Sequence, residues 1–269
     1  TLAIAQALYE RHKALTYPRT NSKALPEDYP ATVRKTLEGL RENGYASPAG
    51  KILKNEWVLP GNKRIFNNAK ISDHFAIIPT LQAPKKLKEQ EQKIYDLVVK
   101  RFLAVFFPAA EFEVTTRITR VVNEPFKTEG KVLVQPGWLE VYGRDQQGEM
   151  LTVVKPDEQV QTTNIEANGT QTKPPARYNE ATLLSAMEHA GRLVDDEELA
   201  EAMRESGLGT PATRANIIEE LIRHRYLVRE NRELIPTAQA FQLITLLHGL
   251  NIEALSKPEL TGDWEHKLH

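Results

Sequence analysis

The sequence contains no cysteine. Disulfide frameworks and thiolate metal sites are therefore excluded; a reducing compartment fits, and a cytoplasmic location is expected. No apolar run approaches the ~20 residues needed to span a bilayer, so no membrane partner is expected. Charge of either sign is not in excess: 35 Lys and Arg against 36 Asp and Glu leave a formal net charge of -1. The global basic field of many nucleic-acid binders is thus missing, although a local basic stripe on a neutral body stays open. Internal repeats and low-complexity tracts are also lacking. The first residues, TLAIAQALYERHKAL, lack an initiator Met and the layout of a signal peptide. They start inside a helical pattern, as an excised piece of a longer protein would.

What is present suits a soluble globular protein. The 269 residues allow one large domain or two to three small ones. Hydrophobic residues make up 41% and charged residues 26%, both ordinary values. The chain reads as three zones, 1–109, 110–172 and 173–269. In the first, Leu2, Ala5, Leu8 and Leu15 approximate one helix face. A second helix is predicted over 29–42, stopped by Asn43-Gly44. A third is predicted over 87–107, with Ile94, Leu97, Val98 and Phe102 on its apolar side and Pro108 at its end. The second zone reads as strands: EFEVTTRITRVV places Phe112, Val114 and Ile118 on alternate positions. KVLVQPGWLEVYG with its Pro-containing turn follows, and QVQTTNIEA continues the strand-like pattern. NGTQTKPPAR is a polar linker. The third zone predicts helices near 179–190, 195–205 and 211–225, with the turn SGLGTP before the last, then a hairpin in YLVRENRELIPT turning near 230–232. Helix, tight turn, helix and hairpin is the winged-helix order.

The stretch LTYPRTNS, residues 15–22, carries the most chemistry. Pro18 makes helix continuation unfavourable and biases Tyr17 to an extended backbone. Tyr17 and Arg19 then project to the same side. A phenol with an ordinary pKa of about 10 needs help to act as a nucleophile at neutral pH. A guanidinium beside it can hold a phosphate bidentately and stabilise charge growing on its oxygens. On spacing alone the favoured reading is plainer: Tyr17 ends a strand and Arg19 is a solvated surface residue. His74, amid Phe75, Ile77 and Ile78, reads by itself as a structural histidine. Thr210 or Thr213 reads as a helix N-cap, at a helix end that is itself a phosphate site. Arg214 faces either DNA or solvent, and Arg223, His224, Arg225, Arg229 and Arg232 mark a solvated wing.

T-Y-P-R-T-N-S is similar to the active-site signature of type IA DNA topoisomerases. ISDHFAIIPT (71–80), GLGTPATRANIIEEL (207–221) and PELTGDWEHKL (258–268) resemble three further segments of that family, in the same order. Four motifs spread over nearly the whole chain are far more specific than any one. The proline after the tyrosine favours the topoisomerase III branch. The resemblance implies that Tyr17 forms a 5′-phosphotyrosyl link to one DNA strand and that Arg19 positions the scissile phosphate. It implies that His74 contributes to strand binding and cleavage, and that Thr210, Thr213 and Arg214 line a groove for single-stranded DNA. Asn21 stands where many family members have Asp, which removes a carboxylate without touching the nucleophile.

For fold, the resemblance implies an α+β multidomain chain. Helical, winged-helix-like domains at both ends (1–109, the arch with the tyrosine; 173–269, the single-strand groove) would flank a β segment of a barrel-like hinge (110–172). The family's magnesium site lies in an N-terminal acidic domain with a D-x-D cluster. No D-x-D occurs here, and Asp195-Asp196 suits a helix start. Magnesium is thus expected in the parent enzyme through that missing domain, with none bound by this chain. The fragment alone is expected to bind single-stranded DNA without turnover. The main alternative is a non-catalytic winged-helix DNA-binding protein in which Tyr17 is structural. Relaxases and tyrosine recombinases fit poorly, because the seven histidines include no H-x-H pair and Tyr17 comes first rather than last. Oligomeric state is not legible.

Overall fold

The structure, a computed structural model, describes residues 1–143 and 151–268. Residues 144–150, inside the expected hinge segment, and His269 lie outside the described residues. Two compact units divide the chain, Thr1–Asn168 and Gly169–His269.

The first unit is helical around one apolar core. Helix α1 (Leu2–Glu10) buries Leu8, and α2 (Pro30–Glu42) opens on a proline, whose missing N–H costs nothing in the first turn. Val33, Leu37 and Leu40 recur at helical spacing along the buried side of α2. A two-residue link leads from the C-cap of α2 into α3 (Ala46–Lys54), which lays Ala49 and Ile52 against the same core. Helix α4 (Glu89–Ala104) completes it with Tyr95, Val99, Phe102 and Leu103. Phe66 is the largest of the fully buried side chains in this core.

Three expectations shift. Leu15 is not on α1: the helix stops at Glu10, the chain reverses at Lys13 (φ +54), and the Ala14 N–H returns to the Leu8 carbonyl at 2.8 Å. The apolar side of α4 is rotated by about one residue, leaving Leu97 60% exposed. Helix α3 was not foreseen, because a nine-residue element holding Gly50 and Pro48 gives a weak periodic signal.

Beyond α4 come β1 (Glu111–Val121) and β2 (Glu124–Gln135), an antiparallel ribbon joined by Val122-Asn123. Both turn residues have positive φ, as a tight primed turn requires. Alternation along β1 does not mark a buried face here, since Val114 and Ile118 are both more than half exposed. Pro136 ends the ribbon and a 3-10 helix follows over Gly137–Tyr142. Residues 159–167, expected as a strand, pair with nothing among the described residues.

The second unit begins with α5 (Glu180–Glu188), capped by Asn179 on the Thr182 N–H at 2.9 Å. Asp196 caps α6 (Glu197–Ser206), accepting from the Glu198 and Leu199 N–H groups at 3.0 Å, which is the helix-start role its sequence suggested. Helix α7 (Arg214–Arg223) leads to an antiparallel hairpin, β3 (Leu227–Glu230) and β4 (Glu233–Pro236), turning at Asn231-Arg232 as expected. Helices α8 (Ala238–Gly249) and α9 (Glu259–Leu268) close the unit. Gly262 lets α9 approach α6: a Cβ there would lie 3.2 Å from both the Leu199 Cβ and the Met203 Sδ.

Candidate active site around Tyr17

Tyr17 sits on an extended segment laced to the segment that carries His74. Leu15 and Pro79 form an isolated antiparallel bridge. The Thr16 N–H donates to the Ile78 carbonyl at 3.0 Å, and the Thr80 N–H to the Ala14 carbonyl at 3.0 Å. Side chains add to the backbone bonds. The Thr16 hydroxyl donates to the Ala76 carbonyl at 3.0 Å and accepts the Ile78 N–H at 2.9 Å. The Thr20 hydroxyl donates to the carbonyl of His74 itself at 2.7 Å, and the Ser22 hydroxyl to that of Lys70 at 2.8 Å. Threonine suits this place because its branched Cβ favours extended backbone while its hydroxyl both donates and accepts.

The anchors fall on Thr16 and Thr20, and Pro18 between them is buried. Tyr17 and Arg19 occupy the intervening positions and are only half-buried. The Tyr17 ring meets the exposed His74 ring at 4.3 Å between centroids and 41° between planes. On its other flank Tyr9, from the last turn of α1, stands edge-on at 5.4 Å and 79°. Such tilted and edge contacts are the favoured aromatic arrangements and orient a ring without covering its hydroxyl. Tyr17 and His74, 57 positions apart in the chain, are thus neighbours, and Arg19 follows two residues along the same segment.

The other motif residues lie in the second unit, in the loop before α7. Gly207 and Gly209 both have positive φ. The Arg214 guanidinium folds back beneath the loop: its Nε donates to the Leu208 carbonyl at 3.0 Å, and the residue is 5% exposed. Burial lowers its pKa, with Glu188 opposing. Thr213 holds the N-cap position of α7 but does not cap with its side chain. Its hydroxyl instead accepts the Thr210 N–H at 2.9 Å and meets the Thr210 hydroxyl at 3.1 Å. Thr210 and Thr213 are exposed while Arg214 is not, so the loop presents hydroxyls and its cation braces it from within. Around the hairpin Arg223 pairs with Glu220, and Arg229 pairs with Glu180 and Glu219, which moderates the positive charge there.

The sequence model of a family described as DNA topoisomerase matches residues 1–269. The chain belongs to that family. Among its relatives, DNA topoisomerase 3 of Bacillus subtilis (strain 168) is 39% identical over 281 residues, and that of Bacillus thuringiensis (strain Al Hakam) is 40% identical over 282. Both alignments cover all of this chain, which spans 38% of the length of either relative. Among solved structures, full-length topoisomerase I from Thermotoga maritima matches 99% of this chain and 41% of its own, with a TM-score of 0.62 at 22% identity. That likeness extends to the fold.

The residues that hold Tyr17 in place carry no periodic signal of their own in the sequence. Tyr9, Thr16 and Thr20 were passed over. Their signal is one of composition: aromatic and β-branched polar residues crowd one short segment on either side of the tyrosine. Among the described residues no three His, Cys, Asp or Glu side chains converge as a metal site. Nor is any helix among them long and apolar enough to cross a membrane.

Proposed function

We propose that this chain supplies the nucleophile half of a type IA topoisomerase that acts on single-stranded DNA. The observation that carries the reading is the convergence of Tyr17 and His74, held by hydroxyl and backbone bonds between two segments far apart in sequence. The Tyr17 oxygen attacks a backbone phosphorus. A phosphotyrosyl ester forms to the 5′ end, and the bond to the 3′ oxygen breaks, leaving a 3′ hydroxyl. Arg19 holds the non-bridging oxygens and offsets their charge as the bond forms. His74 keeps the phenol ring oriented and contributes to strand binding at the exposed edge of the site. Resealing reverses the step: the 3′ hydroxyl attacks, the tyrosine leaves, and the conserved bond energy makes ATP unnecessary. Magnesium enters from the acidic domain expected elsewhere in the parent, so no step on this chain runs through it.

In the second unit, Thr210 and Thr213 offer hydroxyls to backbone phosphates at the N-terminus of α7, where the helix dipole favours an anion. Arg214 keeps that loop in shape. The α5 to β4 order supports a winged-helix-like groove for the strand. Residues 110–172 serve as the hinge and 1–109 as the arch, whose lifting admits a second strand. Without its acidic partner the fragment binds but does not turn over, because the halves of an active site act as a unit.

The test has two parts. Labelled single-stranded oligonucleotide and duplex of equal length are titrated with this chain across salt concentrations. The single strand should bind more tightly, and its affinity should fall with salt. In the full-length parent, Tyr17→Phe should abolish the covalent protein–DNA adduct on a denaturing gel. A persisting adduct in that variant, or tighter binding of duplex by the fragment, would replace this reading with that of a non-catalytic winged-helix binder.

A further inference from the structure

Glu91 is a buried carboxylate near the start of α4, 6% exposed. Its Oε2 accepts the Lys88 N–H at 2.9 Å, as in one half of a capping box. Lysine has no acceptor to return, so a cap alone is a partial account. The same carboxylate reaches 80 residues back: Arg11 Nη2 donates to Oε1 at 3.0 Å. His12 Nε2 lies 3.4 Å from Oε2, near enough for an ion pair when the imidazole is protonated, though not aligned as a hydrogen bond. The Lys88 amide lowers the pKa of Glu91 most, burial opposes it, and His12 and Arg11 add to the lowering.

What Glu91 gathers is the turn that delivers the chain to Tyr17. Arg11 and His12 directly follow α1, Lys13 makes the left-handed reversal, and Ala14 and Leu15 are buried. Two residues before Arg11, Tyr9 places its ring edge against Tyr17. The end of α1 is therefore pinned to the start of α4 at the point where it flanks the nucleophile.

We propose that Glu91 is a positioning residue for Tyr17, acting through the turn at residues 11–13 and the ring of Tyr9. This rests on Tyr17 being the nucleophile. The phenol is then held between His74 on one flank and a helix end whose place is set by a buried carboxylate.

The experiment uses the full-length parent and single-turnover adduct formation at saturating oligonucleotide, with the oligonucleotide Kd measured alongside. Glu91→Gln keeps an acceptor for the Lys88 N–H but loses the charge that gathers Arg11 and His12. It should slow adduct formation roughly tenfold, as a small misplacement of reacting groups does, with Kd unchanged. Tyr9→Leu should slow it similarly, and Tyr9→Phe, which keeps the ring edge, should restore the rate. If Glu91→Gln does not fold, Arg11→Met, whose side chain is 63% exposed, carries the same prediction. Wild-type rates in the Glu91 or Arg11 variant, a Phe variant as slow as the Leu one, or a Kd weakened in step with the rate would each overturn the proposal. Tyr17→Phe is run in parallel. An adduct there refutes the nucleophile reading itself. Its absence, together with wild-type rates in Glu91→Gln, refutes only the positioning role.

Discussion

Replacing Thr16 by Val isolates the two side-chain hydrogen bonds that the Thr16 hydroxyl adds between the Tyr17 segment and the His74 segment. Valine keeps the volume and the branched Cβ, so neither a cavity nor a change in backbone preference accompanies the loss. The hydroxyl's donated bond to Ala76 and its accepted bond from Ile78 both disappear. A hydrogen bond of this kind contributes about 0.5–1.5 kcal/mol net, and a buried donor left unpaired costs about 1–3 kcal/mol. Ile78 is 5% exposed, so its N–H is the group left stranded. The expected destabilisation is about 2 kcal/mol. For a domain the size of the Thr1–Asn168 unit, each kcal/mol shifts Tm by about 2–4 °C, giving a fall of roughly 4–8 °C. Thermal melts followed by circular dichroism measure it, with Thr16→Ser as the control that keeps the hydroxyl. A Val variant melting with the wild type, or a Ser variant falling as far as Val, would refute the argument that the hydroxyl pins the site.

Two further predictions rest on particular groups. Gly207→Ala adds a Cβ about to collide with the Met187 and Glu188 carbonyls, at 2.5 and 2.6 Å, on a residue with φ +64. It should destabilise the second unit by about 1–3 kcal/mol, read as a lower urea midpoint, whereas Gly249→Ala, which meets nothing, should not. Tyr95 is pushed up to about 12 by burial, with the Asp96 charge adding to it. A raised phenol pKa stabilises the fold fully below the ordinary value of about 10 and loses that contribution as pH climbs through about 12. Urea midpoints at pH 9 and pH 11.5 should therefore fall further apart in the wild type than in Tyr95→Phe.

Much of the scaffold was legible because its signals are local. Pro30, the spacing of Val33, Leu37 and Leu40, and the Asn43-Gly44 stop mark α2, and the turn residues mark the β3–β4 hairpin. The neighbourhood of Tyr17 and His74 was legible only through the order of motifs, since no periodicity links positions 57 apart. What escaped is what tertiary packing decides. Leu15 continues the helical spacing of Leu8, yet pairing with Pro79 draws it into an extended bridge. Val114 and Ile118 alternate as a half-buried strand should, yet no layer packs over them among the described residues. Arg214 looked like a surface cation, and only the fold-back of its Nε onto Leu208 shows it as an internal brace.

The spacing of anchors around Tyr17 has a consequence for how such a segment can change. Thr16 and Thr20 are tied down, Pro18 between them is buried, and Tyr17 and Arg19 occupy the positions in between. The segment is therefore sensitive to the count of its residues more than to their identity. A substitution removes only that residue's own contacts, but a single insertion or deletion between Leu15 and Thr20 breaks the alternation of anchored and presented positions, turning the phenol or the guanidinium into the body of the protein. The Tyr17 ring keeps its place one residue from the Thr16 anchor only while that count is kept.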